Sequence, residues 1–188
     1  MLLVDGMVLY HGSYVAVEAP DLRKCRPHKD FGRGFYVTTS HEQAVRFTRT
    51  ATMKAIRRRT LPANTHTGYV SSFVFHLPDS LKIHEFPNAD ADWLRCVVAH
   101  RRQGQFPQDA EKWCNFDIIA GKIANDNTNM VITVFMSGGY GAVESSKACE
   151  TALGFLMPER LKNQACFRTE SALSALAFAG SEKISWQS

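Results

Sequence analysis

Apolar positions in this chain come in short bursts separated by glycine, proline and charge, a rhythm of brief strands interrupted by amphipathic helices. Met7 to His11 is apolar and stops at Gly12-Ser13, which predicts a first strand. A loop rich in proline and charge, Pro20 to Lys29, leads through Phe31-Gly32-Arg33-Gly34 into Phe35-Tyr36-Val37-Thr38-Thr39. Aromatic and β-branched residues fit a pleated, half-buried surface, so this segment predicts a second strand. Ser40 to Gln43 has capping-box spacing, with Gln43 placed to reach back, and opens a helix with Ala44, Phe47, Ala51 and Ala55 on its buried side. Arg57-Arg58-Arg59 fall in its last turns, where cations suit the helix dipole.

Strands are expected at Tyr69 to Leu77 and Leu81 to Phe86, split by Pro78-Asp79. Ala91 to Gln103 predicts a helix and Phe116 to Ala124 a buried strand, while Val131 to Phe135 fits either by local pattern. Glu144 to Leu156 predicts a helix and Gln164 to Arg168 a short strand, and Thr169 caps a final helix through Phe178. This mixed order, without repeat or linker, predicts a single α+β domain over residues 1–188.

Composition narrows the picture. Hydrophobic residues make up 45% and charged residues 21%, enough for a substantial core and wrong for a disordered chain. No stretch approaches the ~20 apolar residues of a membrane helix, and the N-terminus lacks the charged region and cleavage site of a signal peptide. The expectation is a cytoplasmic protein away from the membrane. Five cysteines, Cys25, Cys96, Cys114, Cys149 and Cys166, are odd in number and form no CxxC. They read as reduced thiols, with Cys96 and Cys114 in the core. The net charge of +4 permits an anionic partner without demanding one.

Two segments offer chemistry. A histidine followed by glycine, His11-Gly12, places an imidazole beside an unobstructed backbone that could hold a hydroxyl and a carboxamide; the alternative is a surface histidine before a turn. Gly32-Arg33-Gly34 could let the backbone approach a ligand, but lacks the spacing of a dinucleotide fingerprint or a phosphate-binding loop. Asp117 beside the apolar run Ile118-Ile119-Ala120-Gly121 needs a partner or a purpose, and Glu170 suits the first turn of a helix. Asn125-Asp126-Asn127 reads as a turn. His76 and His84 carry no metal-ligand spacing, so no metal is expected.

Together, Tyr10-His11-Gly12-Ser13 and Lys29-Asp30-Phe31-Gly32-Arg33-Gly34-Phe35-Tyr36 resemble the ADP-ribosyltransferases of the diphtheria-toxin and poly-ADP-ribose-polymerase branch. The resemblance is closest to a bacterial family of unknown function placed near these enzymes. It extends through FDIIAGKIANDNT, starting at Phe116, and NQACFRTESALSAL, starting at Asn163. The resemblance implies two split antiparallel sheets with an NAD cleft between them. It places His11 on the nicotinamide-side ribose, the Gly12 backbone on the carboxamide and Tyr36 against the nicotinamide ring. Ser13, Gly34, Phe35 and Thr38 line the same cleft. Gln164 stands where the branch usually carries glutamate. Glutamine accepts a hydrogen bond but cannot act as a base, so single transfer or NAD cleavage is expected rather than chain elongation. A carboxylate at 164 would restore that charge, and Asp117 or Glu170 are the alternative acids. The implied protein is a mono-ADP-ribosyltransferase toxin or effector, with a protein or nucleic-acid acceptor and a cognate antitoxin. A non-catalytic NAD or ADP-ribose binding module and a metal-independent ribonuclease using His11 or His28 are the rival readings. The arginine-specific branch fits poorly, because no Glu-x-Glu occurs. Arg57 to Arg59 and Arg101-Arg102 could face phosphate, of NAD or of a nucleic-acid substrate, but read first as solvated helix ends.

Overall fold

In the computed structural model, which describes residues 3–102, 106–124, 126–156 and 161–187, the strands divide between two sheets. They are β1 (Val8–Ser13), β2 (Phe35–Val37), β3 (Thr67–Phe75), β4 (Ile83–Glu85), β5 (Ile118–Lys122), β6 (Asn163–Phe167) and β7 (Leu176–Ser185). The helices are α1 (His41–Arg57), α2 (Ala91–Arg101), α3 (Pro107–Cys114), α4 (Asp126–Met136), α5 (Ser146–Leu156) and α6 (Glu170–Ser174). A three-stranded antiparallel sheet has the order β1-β3-β7, and a four-stranded sheet has the order β2-β6-β5-β4. The expected α+β class and paired sheets are present, with one difference: β4 and β5 run parallel, so the second sheet is mixed.

Alternation along each strand explains the layering. Leu9, Phe73, Phe75 and Leu176 of the first sheet pack on Phe35, Val37, Ile118, Ala120, Ala165 and Phe167 of the second. Edge-on ring pairs, Phe35–Phe73 at 5.5 Å and Phe75–Phe167 at 5.7 Å, fill this inter-sheet core. The other face of the second sheet sends Ile119 and Cys166 into a cluster with Trp93, Val97 and Phe135 from α2 and α4. Helix α1 covers the outer face of the first sheet. Its Ser40 cap accepts from the Gln43 N–H at 3.2 Å, but the reciprocal arm is not made, because Gln43 Oε1 is buried without a partner. Helix and sheet approach so closely that a Cβ on Gly12 would lie 2.1 Å from the Ala44 carbonyl oxygen. Glycine at 12 is therefore needed for packing.

Several elements differ from the sequence pattern. The final helix stops at Ser174, and the alanine-rich stretch beyond it becomes β7, paired with β3 from Leu176 to Ser185. Its register shifts between Ser72 and Phe73, leaving Ala179 as the extra residue of a bulge beside Gly180. Helix α3 has no counterpart among the expected elements; Pro107 sits in its first turn, where a missing N–H costs nothing. Val131 to Phe135 lies within α4, which Asp126 opens, so Asp126 is helical rather than part of a turn. Asn125 and Gln103 lie outside the described residues. Among the described residues, no helix is long and apolar enough to cross a membrane.

Candidate active site

The two sheets meet edge to edge at Tyr10 and Thr38. The Tyr10 N–H donates to the Thr38 carbonyl at 2.8 Å, and the Thr38 N–H donates to the Tyr10 carbonyl at 2.9 Å. One residue further along β1, a side chain continues the contact: His11 Nδ1 lies 2.7 Å from the Tyr36 carbonyl oxygen. A carbonyl only accepts, so Nδ1 carries the hydrogen. Burial holds the imidazole below its ordinary pKa and outweighs the opposing effect of this bond, so the ring is neutral. Nε2 is then a lone-pair acceptor. The ring rests on Phe35, with centroids 4.4 Å apart.

Gly12 faces the same junction through its backbone. Antiparallel ladders alternate the direction of their peptide groups. Tyr10 directs both of its groups at Thr38, so Gly12, two residues on, directs its N–H and C=O to that same edge. Ser13 is buried at the end of β1, and the buried Thr38 accepts the Ser40 N–H on Oγ1 at 3.1 Å.

Tyr36 is fixed at both ends. Its backbone belongs to β2, and its hydroxyl accepts the Phe31 N–H and donates to the Gly32 carbonyl, both at 2.9 Å. Burial pushes this phenol well above its ordinary range, so it stays neutral. The loop that grips it is shaped by its two glycines. Gly32 has φ +81°, and a Cβ there would meet the His100 ring at 2.7 Å. A Cβ on Gly34 would lie 2.4 Å from Cys166 Sγ. The Gly-x-Gly spacing thus serves contact with α2 and β6. Cys166, opposite Tyr36 in the ladder, is pushed up to about 12 by burial and remains a thiol.

Gln164 lies on the same sheet face as Cys166 and Tyr36, two residues along β6. It is buried, and its Nε2 donates to Asp30 Oδ2 at 2.7 Å. Asp30 Oδ2 also accepts the Ala124 N–H at 3.0 Å, and Oδ1 receives Arg101 Nη2 at 2.6 Å and Nε at 3.0 Å. Arg101 further donates to the Ala124 carbonyl and to Asn129 Oδ1. Asp30 escapes the sequence reading. Arg101 is no solvated helix end, because its side chain is 16% exposed and pairs with the Asp30 side chain, itself 10% exposed. Arg102 donates to the Met136 carbonyl at 2.7 Å.

The two alternative acids stand apart from this junction. Asp117 accepts the Lys82 N–H on Oδ2 at 2.9 Å and the Thr169 hydroxyl on Oδ1 at 2.8 Å, clamping α6 to the start of β5. Its carbonyl receives the Arg168 N–H, four residues and about 13 Å along the strand from Gln164. Glu170 is exposed in the first turn of α6 and neighbours Arg23. His84 packs against Phe86 and Trp113, each at 4.4 Å, and exposed His76 lies 4.0 Å from Asp5. His28 is exposed with φ +60°. Cys96 is buried as expected, whereas Cys114 is exposed at the end of α3, a correction to its core assignment.

The structure therefore brings His11, Gly12, Tyr36 and Thr38 to one junction, with Gln164 on the neighbouring strand and Asp117 and Glu170 elsewhere. No curated protein and no solved structure matches the chain. A family match covers residues 7–178, a span containing every motif block quoted above, and on this coverage the chain belongs to the family described as protein of unknown function (DUF3990).

Proposed function

We propose that this chain transfers a single ADP-ribosyl group from NAD to a macromolecular acceptor, releasing nicotinamide. The observation that carries the reading is the bond from His11 Nδ1 to the Tyr36 carbonyl, which locks the two motif strands together where the sheets meet. That bond leaves Nε2 of a neutral ring as an acceptor for a ribose hydroxyl. The Gly12 peptide groups suit a carboxamide, which needs one donor and one acceptor. The anchored Tyr36 ring offers a rigid stacking platform.

The chemistry needs little else from the protein. The bond between the anomeric carbon and the nicotinamide nitrogen breaks, its electron pair goes to that nitrogen, and nicotinamide leaves neutral. The acceptor's nucleophilic atom then bonds to the anomeric carbon and loses its proton. Positioning and electrostatics govern such a step, because the transition state resembles a cation more than an adduct. An activity of this kind would suit a toxin or effector restrained by a cognate antitoxin.

The test is incubation with NAD labelled on its adenylate phosphate in a cell lysate, divided between protease and nuclease digestion. Label should enter a macromolecule with nicotinamide released, and Tyr36→Ala should abolish both. Intact NAD that stays bound to the protein would instead establish the binding-module reading. RNA cleavage without NAD consumption would establish the nuclease.

A further inference from the structure

Position 164 poses a physical question. The buried side chain there is an amide where the resembling enzymes carry an acid, and its immediate neighbour is itself an acid. Asp30 Oδ2 stands 2.7 Å from Gln164 Nε2. The orientation of the amide follows, since a flipped Gln164 would set its oxygen against the Asp30 carboxylate. An amide is rigid and planar, so fixing Nε2 also fixes Oε1 on the side away from Asp30.

Asp30 is held in turn by two further parts of the chain. Arg101 of α2 grips Oδ1 with two nitrogens, and the Ala124 N–H after β5 meets Oδ2. Asp30 also sits immediately before the Phe31 N–H and Gly32 carbonyl that grip the Tyr36 hydroxyl. One carboxylate thus ties the Tyr36-holding loop to α2, the β5–α4 connection and the Gln164 side chain. The Arg101 charge offsets its own, which makes its contribution geometric more than electrostatic.

We infer that Asp30 is a positioning residue for the proposed transfer site, orienting the Gln164 amide so that Oε1 is the atom offered to ribose, and that its carboxylate is why position 164 must be an amide. This rests on the proposed transfer reading. A glutamate at 164 would not restore a missing catalytic charge here. It would place two carboxylates at hydrogen-bond distance, with one Arg101 to neutralise them.

The test compares wild type, Asp30→Asn, Gln164→Glu and the reversed pair Asp30→Asn/Gln164→Glu. In the reversed pair the amide nitrogen introduced at position 30 can donate to the new carboxylate and the amide oxygen beside it still accepts from Arg101, at the expense of the bond from the Ala124 N–H. Each protein is melted, and nicotinamide release from NAD is measured well below the lowest Tm, with kcat and KM resolved. Gln164→Glu should melt roughly 5–10 °C lower at neutral pH, and the reversed pair should recover part of that loss, short of the bond it gives up with the Ala124 N–H. Folded Asp30→Asn should lose roughly ten- to a hundredfold in kcat with a smaller change in KM, and the reversed pair should regain it. A purely structural Asp30 would lower Tm and leave kcat of the folded protein unchanged, which overturns the positioning role. A wild-type Tm for Gln164→Glu overturns the requirement for an amide. If wild type itself releases no nicotinamide, the transfer reading falls and takes the positioning role with it, while the melting cycle still decides whether Asp30 dictates the amide.

Discussion

His11→Ala separates anchoring from chemistry. Two contacts disappear in the variant: the 2.7 Å bond to the Tyr36 carbonyl and the ring packing on Phe35 at 4.4 Å. Leaving a carbonyl unpaired costs about 1–3 kcal/mol, and an aromatic contact contributes about 0.5–1.5 kcal/mol. His11 is half-buried, so water offsets part of the first cost and the lower half of the combined range is expected, about 1.5–3 kcal/mol. For a chain of this length each kcal/mol moves Tm by about 2–4 °C, giving a Tm lower by roughly 3–12 °C. Thermal melting checks this, and a wild-type Tm would refute the anchoring. Nicotinamide release, measured well below the lower Tm, checks the acceptor role of Nε2. Here the folded variant should be inactive, and wild-type release would refute the role. The wild-type pH profile supplies a second arm. Burial lowers the His11 pKa, so Nε2 stays unprotonated down to below the ordinary histidine value of about 6.5. Release should be flat above that pH and fall only further into acid, as protonation turns the acceptor into a donor. An acid limb centred above about 6.5 would contradict a His11 whose pKa is lowered in the fold.

Gly12→Ala should lower stability, because its Cβ would lie 2.1 Å from the Ala44 carbonyl oxygen and a helix backbone cannot retreat cheaply. Overpacking of about 1–3 kcal/mol corresponds to roughly 2–12 °C in Tm, and an unchanged melt would show that α1 stands off further than described. Asp117→Asn should also melt lower, since an amide cannot accept both the Lys82 N–H and the Thr169 hydroxyl with the same two atoms. Its nicotinamide release per folded molecule should match wild type; inactivity in a well-folded variant would identify Asp117 as the missing acid.

The elements legible in the sequence are those that carry their own punctuation. α1 begins after a serine whose hydroxyl does cap it, and α6 begins after Thr169, whose Oγ1 accepts the Ala172 N–H at 3.1 Å, whereas β1 runs on through Gly12-Ser13 instead of stopping before them. β7 has no such mark. Ser174-Ala175-Leu176-Ala177-Phe178 favours helix by residue type, yet the segment gains a ladder with β3 running from Leu176 to Ser185. That partner lies about a hundred residues earlier, and no local window contains it. Pairing outweighs intrinsic preference here, as it commonly does for strands. α3 is hidden for another reason: it is a short helix on a charged stretch, too brief to show a clear apolar period.

The site divides along the same line. His11 and Tyr36 are 25 residues apart but sit in segments whose glycines and aromatics stand out locally, and the structure joins them directly. Asp30 pairs with Arg101 across 71 residues and with Gln164 across 134, and each of the three has an adequate local explanation alone. An acid in a polar loop, a cation at a helix C-terminus and a polar residue at a strand start demand no partner until folding buries them together. Once buried, their identities constrain one another: the arginine makes the carboxylate tolerable, and the carboxylate makes an acid at 164 unfavourable. The amide at Gln164 is therefore best understood through Asp30. An amide there fits its neighbour, because its nitrogen donates where a carboxylate would set a second negative charge against Asp30.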